Sequence, residues 1–271
     1  MIRDIAGRLP AGWLSRRLRP IFVRLSGGKT ARVADIDVFG SQKARLYPMS
    51  NLSDKRVYCM PQLWDRRERT ILAEAIRSLR DPVFNFLDVG ANVGLYSLFA
   101  RSEAQRAGNK IAIACVEPGP AALARLRYHQ QLNQAGDIKI FPYAATETAQ
   151  SAVLFANNAS NIGESSLIGD GGEGTEVEGR CLADIIAEAG FDTVHAMKID
   201  IEGAELPALK GLYNNAPPSC WPVLVIMETP RGADGSSPLE QLCLAKGYRL
   251  LERTRMNSVY KRDSTNRADV S

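Results

Sequence analysis

Beyond Pro82 the sequence alternates short, nearly continuous apolar runs with apolar residues at helical spacing, and this rhythm admits few architectures. The runs are 84–89, 111–116, 138–141, 196–201 and 223–227, and the helical periods are 95–105, 121–132, 205–212 and 239–245. A strand that reads apolar throughout has no solvent face, so it belongs in a parallel sheet covered by helices on both sides. Residues 249–253 and 258–261, around Met256-Asn257, read as a hairpin. The expected fold is α/β, a mostly parallel doubly wound sheet finished by an antiparallel C-terminal hairpin.

The N-terminal part reads as a cap on that sheet. Residues 31–60 read as irregular strands and turns, and Leu63, Ile71, Leu72, Ala75, Ile76 and Leu79 predict a helix over 64–79 that ends before Asp81-Pro82. The formal net charge of +4 is unevenly placed: the first 32 residues carry +7 and the remainder −3. Arginines interrupt every apolar run before residue 25, so this is not a signal peptide. Trp13, Leu14, Leu18, Ile21, Phe22 and Leu25 recur at roughly helical spacing, with Pro20 as a break. Such a basic amphipathic helix suits packing on the domain with its arginines solvated, the commoner arrangement, or peripheral contact with anionic lipid. The chain divides into a basic segment and cap (1–60), a main domain (61–262) and a flexible tail (263–271).

No run of about 18 apolar residues is present, so a membrane-spanning helix is excluded. The five cysteines (Cys59, Cys115, Cys181, Cys220 and Cys243) are scattered, odd in number and free of C-x-x-C spacing, which fits a reducing, cytoplasmic setting. One stretch breaks the rhythm: Asn157, Asn158, Asn161, Gly163, Gly169, Gly171, Gly172 and Gly174 predict a long loop over 157–179, either functional or a disordered excursion.

Chemistry concentrates at the ends of two apolar runs. Asp88-Val89-Gly90-Ala91-Asn92-Val93-Gly94 follows the first run and opens a helix. Glycines permit a sharp turn and close approach to a ligand, and the free N–H groups of the helix start favour an anionic group. Glu117 ends the second run, 23 residues after Gly94, where an acid can accept hydrogen bonds from two ribose hydroxyls. A dinucleotide site prefers G-x-G-x-x-G, but Asn92 stands at the middle glycine. S-adenosylmethionine has no phosphate, and its ammonium needs carboxylate or carbonyl acceptors, so Asp88 before the turn suits it better than NAD.

The fourth run ends in Met197-Lys198-Ile199-Asp200-Ile201-Glu202-Gly203-Ala204-Glu205. Strand alternation would put Lys198, Asp200 and Glu202 on one face, costly on a buried strand unless they are paired or functional. In open α/β sheets ligands bind beyond the carboxyl ends of the strands, where Asp200 and Glu202 are expected. Together, Phe86-Leu87-Asp88-Val89-Gly90-Ala91-Asn92-Val93-Gly94 and Lys198-Ile199-Asp200-Ile201-Glu202-Gly203-Ala204-Glu205 resemble the FkbM family of S-adenosylmethionine-dependent methyltransferases. The similarity runs over about residues 64–230, taking in Glu68, Glu117-Pro118, residues 161–167 and Leu182-Ala183-Asp184, where the family more often has Leu-Asp and Ala183 departs from it.

The resemblance implies a Rossmann-like class I methyltransferase fold and O-methylation of a hydroxyl on a sugar, polyketide or related metabolite. It implies Asp88, Gly90, Asn92 and Gly94 around the methionine part, Glu117 at the ribose, and Ala91, Pro118, Ala144 and Glu68 as further cofactor-binding positions. Asp200 would lie near the reacting methyl group. An alcohol is a poor nucleophile until its proton leaves, so Asp200 or Glu202 is the candidate general base, with Lys198 pairing to them or steering the hydroxyl. Glu205 reads as a complement to its helix N-terminus. His129 and His195 read as structural. No short-spaced metal-ligand set appears; Asp200, Glu202 and Glu228 form the alternative in which a divalent cation would bind. A dehydrogenase or epimerase lacks support, because G-x-G-x-x-G and a Tyr-x-x-x-Lys pair are absent. A non-catalytic nucleoside-binding protein attached peripherally to a membrane would show a damaged site, and both motifs are intact. The charge of −3 and the lack of basic-aromatic stripes argue against nucleic acid, leaving a small-molecule hydroxyl acceptor as the expected partner.

Overall fold

The computed structural model describes residue 17 and residues 30–156, 165–166, 174–228 and 237–263. The expectations for the amphipathic N-terminal helix, for residues 157–164 and 167–173 of the glycine-rich stretch, and for the tail beyond Asp263 lie outside the described residues. Among the described residues no helix is long and apolar enough to cross a membrane.

The body is a seven-stranded sheet. Its parallel strands are β3 (Val83–Val89), β4 (Lys110–Val116), β5 (Ile138–Phe141), β10 (Ala196–Ile199) and β11 (Leu224–Glu228), and the hairpin of β12 (Tyr248–Arg253) and β13 (Asn257–Arg262) completes it. The order is β12-β13-β11-β10-β3-β4-β5, with β13 antiparallel to both β11 and β12. From β3 the chain winds outward through β4 and β5, then returns to the other side of β3 as β10. The crevice at such a reversal, beyond the carboxyl ends of the strands, is where open α/β sheets bind ligands.

Alternation along the strands divides the core into two layers. Phe84, Phe86 and Ile113 face one way and pack with α3 (Leu95–Ala107) through Leu98 and Phe99, with Leu126 of α4 (Pro120–Leu132), and with Leu72 and Ile76 of α2 (Arg66–Arg77). Leu87, Val89, Met197, Ile199 and Val225 face the other way, against α5 (Leu182–Ala189), α6 (Glu205–Asn215) and α7 (Pro238–Ala245). The N-terminal hairpin of β1 (Ala34–Val38) and β2 (Gln42–Leu46) and the helix α1 (Leu52–Cys59) share the first layer's core through Val38, Ala44, Leu46 and Val57. The strands and helices read beyond Pro82 are all present, within a few residues of the expected bounds.

Two segments differ from the reading. Residues 52–59 form a helix where turns were expected. Its start is set by Asn51, whose side chain accepts the Asp54 N–H at 2.9 Å, an N-cap bond in a helix too short to show a clear apolar period. The predicted 157–179 loop is also shorter at its far end. Residues 174–181 form β9 (Gly174–Cys181), which lies between β6 (Ala144–Thr146) and β7 (Gln150–Ala156) in a four-stranded sheet completed by β8 (Ser165–Ser166). Gly179 marks a close approach here and not a turn, since a Cβ on it would lie 2.8 Å from the Thr146 side chain and 2.9 Å from the Gln150 carbonyl oxygen.

Candidate active site

The turn after β3 is shaped by what lies behind it. Gly90 has φ +70°, and its N–H and that of Ala91 both donate to the Val116 carbonyl, at 2.9 and 3.0 Å. A Cβ on Gly90 would lie 2.0 Å from the Asp200 carbonyl oxygen. The two motifs of the sequence therefore touch through backbone, and only glycine permits it. Asn92 is also left-handed, with φ +51°, and its N–H points to Glu117 Oε2 at 2.8 Å. Glu117 Oε1 accepts the Gly119 N–H at 2.8 Å. Burial pushes the Glu117 carboxyl up to about 7, against the pull of these two backbone hydrogen bonds.

Asp88 and Lys198 stand opposite each other in the parallel register of β3 and β10. Asp88 is buried, and its Oδ2 accepts from the Ser97 hydroxyl at 2.6 Å. Its Oδ1 is buried with no hydrogen-bond partner among the described residues. Burial raises the Asp88 pKa, partly offset by the Lys198 charge. Lys198 Nζ donates to Asp200 Oδ2 at 2.9 Å and sits 5.2 Å from the centre of the Tyr96 ring. Burial alone would depress the lysine; Asp200 and Asp88 outweigh it and hold the ammonium above its ordinary range.

These groups face one cavity of about 350 Å³ beyond the carboxyl ends of the strands. Of the residues expected at a site, Asp88, Gly90, Ala91, Asn92, Glu117, Pro118, Ala144, Lys198, Asp200 and Glu202 line it, and so does Glu228. Gly94 and Glu68 are not on its wall. Gly94 is the N-cap of α3 and packs against Leu126, where a Cβ would come within 2.5 Å. Glu68 is buried and accepts from Thr254 Oγ1 at 2.7 Å and Asn257 Nδ2 at 3.1 Å, which braces the β12–β13 turn.

Glu202 departs from the expected alternation. The strand stops at Ile199, and Glu202 occupies a turn with φ +53°, whereas Lys198 and Asp200 are brought together as a pair. Glu205 accepts the N–H groups of Ile201 and Gly203 at 2.9 and 3.0 Å and fixes this turn. Among the described residues no three His, Cys, Asp or Glu side chains are placed to hold a metal ion, so the alternative set of Asp200, Glu202 and Glu228 is not assembled. His129 is buried, with Nδ1 at 2.7 Å from the Val93 carbonyl oxygen and Nε2 accepting the Arg45 N–H at 3.0 Å. His195 accepts the Asn85 N–H at Nδ1, 2.9 Å, and contacts Asp81 at Nε2, 2.7 Å.

Several cavity residues escaped sequence reasoning: Arg56 on α1, Trp64 and Asp65 before α2, Tyr96 on α3 and Tyr143 after β5. Asp65 Oδ2 accepts from the Tyr96 hydroxyl at 3.1 Å. Tyr96 could have been flagged by its place two residues after Gly94. Asp65 carries no spacing signal, because it meets the site only through the packing of α2 on α3.

A seven-stranded sheet with its antiparallel strand inserted before the last, and with a glycine turn and a buried acid at the ends of its first two parallel strands, defines a Rossmann-like fold of the class I methyltransferases. The family model of the methyltransferase FkbM domain matches residues 88–250, and the chain belongs to that family. Among solved structures, three are similar to this chain. Methyltransferase FkbM from Methylobacillus flagellatus KT is 20% identical with TM-score 0.46 over 90% of this chain, which spans 59% of that protein's chain. A SAM-dependent methyltransferase from Agrobacterium tumefaciens is 10% identical with TM-score 0.46, over 85% of this chain and 69% of that one. Precorrin-6y C5,15-methyltransferase from Geobacter metallireducens GS-15 is 11% identical with TM-score 0.42, over 72% and 86%. No curated protein matches the chain.

Proposed function

We propose that the chain transfers the methyl group of S-adenosylmethionine to a hydroxyl of a sugar, polyketide or related small metabolite. The observation that carries this reading is the buried Asp88 Oδ1, which lacks a partner among the described residues and belongs to the wall of the same cavity as Glu117 and the Lys198–Asp200 pair. A buried carboxylate oxygen without a donor is costly, and the ammonium of a methionine moiety would satisfy it. Glu117 spends one acceptor position on each oxygen, which leaves each with capacity for a ribose hydroxyl. The residues present therefore fit this cofactor. When bound, it supplies an electrophilic methyl on a sulfonium.

The chain's own contribution is positioning and proton removal. Asp200, with a side chain 40% exposed, is open enough to meet an acceptor hydroxyl, and Lys198 fixes one of its oxygens at 2.9 Å. In this reading Asp200 takes the hydroxyl proton while Lys198 orients the carboxylate. The five free cysteines support a reducing, cytoplasmic setting. Calorimetry with S-adenosylmethionine and with NAD tests the cofactor, and tighter binding of NAD overturns the reading. Asp200→Asn should bind the cofactor but lose about 10²-fold or more in methyl transfer; full activity in that variant removes Asp200 as the base.

A further inference from the structure

We propose that Asp65 is an acceptor-binding residue, its carboxylate accepting a hydrogen bond from a neutral, hydroxyl-rich acceptor. This rests on the methyl-transfer reading above and adds a residue that holds the acceptor and a discrimination against anionic acceptors.

Asp65 occupies the N-cap position of α2, where an aspartate ordinarily adopts an extended backbone and caps the helix. Here the backbone is left-handed, φ 38° and ψ 47°, and the side chain forms no cap hydrogen bond within the described residues. A left-handed non-glycine residue costs roughly 1 kcal/mol, which the missing cap does not offset. The carboxylate instead lines the cavity and accepts from the Tyr96 hydroxyl. That bond uses one of about four acceptor positions. The segment is held firmly: the buried Arg69 donates to the carbonyl oxygens of Trp64 at 2.7 Å and Pro61 at 2.6 Å, and the Trp64 and Tyr96 rings meet edge to face at 5.0 Å. Asp65 is thus a rigid acceptor on the cap side of the cavity, while Asp200 occupies the sheet side.

The charge around it limits what can bind. The groups acting on Asp65 are Glu68 on its own helix, Lys198 on β10, Arg56 on α1 and the Tyr96 hydroxyl on α3. Burial, then the Glu68 charge, raises its pKa, so a hydroxyl donor on the acceptor would favour the charged carboxylate. Among the described residues the cavity wall holds six carboxylates (Asp65, Asp88, Glu117, Asp200, Glu202 and Glu228) against two cations, Arg56 and Lys198. The orphaned Asp88 Oδ1 and Glu117 suit a cationic cofactor, and an acceptor bearing a carboxylate or phosphate would meet like charge. A neutral polyol meets only acceptors for its hydroxyls.

The test uses the full chain with S-adenosylhomocysteine, and also without it, in thermal-shift titrations with methyl α-D-glucopyranoside and with the corresponding uronic acid as probes. The parent should gain Tm with the glucoside and not with the uronate. Asp65→Asn should lose the glucoside response, melt no lower than the parent because asparagine tolerates the left-handed backbone, and bind S-adenosylmethionine within about threefold of it. Asp65→Glu should recover part of the response. The assignment is overturned if Asp65→Asn keeps the response, if the glucoside does not shift the parent, or if the uronate shifts it equally. Failure of the parent to bind S-adenosylmethionine overturns the methyl-transfer reading instead, and the titrations without nucleoside still decide the role of Asp65.

Discussion

Replacing Glu117 by glutamine removes one titration from the centre of the cavity, and the structure sets the sign of the change in both stability and cofactor affinity. The carboxyl is 8% exposed, held by the N–H groups of Asn92 and Gly119, and burial moves its pKa from the ordinary 4.5 to about 7. Between those values the folded chain keeps a proton that the unfolded chain has released. The group's contribution to stability is therefore complete below about pH 4.5 and is lost as pH rises through about 7. Its full size is about 3 kcal/mol, from roughly 1.4 kcal/mol for each tenfold in proton affinity. Cofactor binding runs the opposite way, because ribose hydroxyls donate to the charged carboxylate. The parent's Kd for S-adenosylmethionine should be about tenfold weaker near pH 6 than near pH 8 on account of this group alone. Glu117→Gln loses about 1–3 kcal/mol on the acid side, because its amide nitrogen faces a backbone donor, and the gap closes as pH rises through about 7. The decisive quantity is the slope. Urea unfolding of the cofactor-free parent and variant across about pH 5–8.5, with calorimetry of cofactor binding over the same range, should show the parent's stability falling relative to the variant while its affinity rises relative to it. Parallel profiles for the two proteins in both measurements would refute the assignment of a buried, proton-holding carboxyl at this position.

Gly90→Ala should cost about 2–5 kcal/mol, a left-handed alanine plus overpacking against the Asp200 carbonyl 2.0 Å away, and should lower the melting temperature and cofactor affinity together; a parental melt speaks against the close contact. Glu68→Ala leaves Thr254 and Asn257 without their buried acceptor, so amide exchange at 254–257 should accelerate with a stability loss of about 1–3 kcal/mol, and unchanged exchange removes the brace. His129 is kept neutral by burial, which lowers its pKa from 6.5, so its contribution is present above about 6.5 and lost as pH falls through the lowered value. His129→Gln should flatten the acid side of the stability profile, and an unaltered acid limb would show that the Arg45 N–H to His129 contact is not made.

The parallel sheet was legible because Phe84, Phe86, Leu87 and Val89 leave no polar face, and burial from both sides is the physical condition that writes such a run. Helix α1 was not, since one capping bond from Asn51 and a few buried residues specify it locally. The far end of the 157–179 stretch misled for a related reason. Gly174 looks like a turn former in one dimension, but it sits where strands crowd each other, and a glycine has the same letter in both roles. Glu202 was misplaced because alternation assumes that the strand continues, whereas Glu205 folds back to bind the N–H groups of Ile201 and Gly203 and ends it.

For the candidate site the dividing line is whether a residue reaches the cavity along a strand or across helices. Asp88, Glu117 and Lys198-Asp200 lie at the ends of strands that run parallel, and parallel strands joined by crossovers bring their carboxyl ends to one edge whatever the separation in sequence. That is why motifs more than a hundred residues apart could be read as one site, and why Asp88 and Lys198 meet in register. Asp65 and Tyr96 come together by a different route. Their contact depends on how α2 crosses α3, on the Trp64 ring lying against Tyr96, and on Arg69 reaching back to the Trp64 carbonyl. Helix packing angles follow from the side chains at the interface and scatter by tens of degrees. In the proposed reading, the nucleoside side of such a cavity is therefore readable from strand ends, while the acceptor side is set by cap packing. If Asp65 binds the acceptor as proposed, acceptor choice can change through it while the Asp88, Glu117 and Gly90 framework stays as it is.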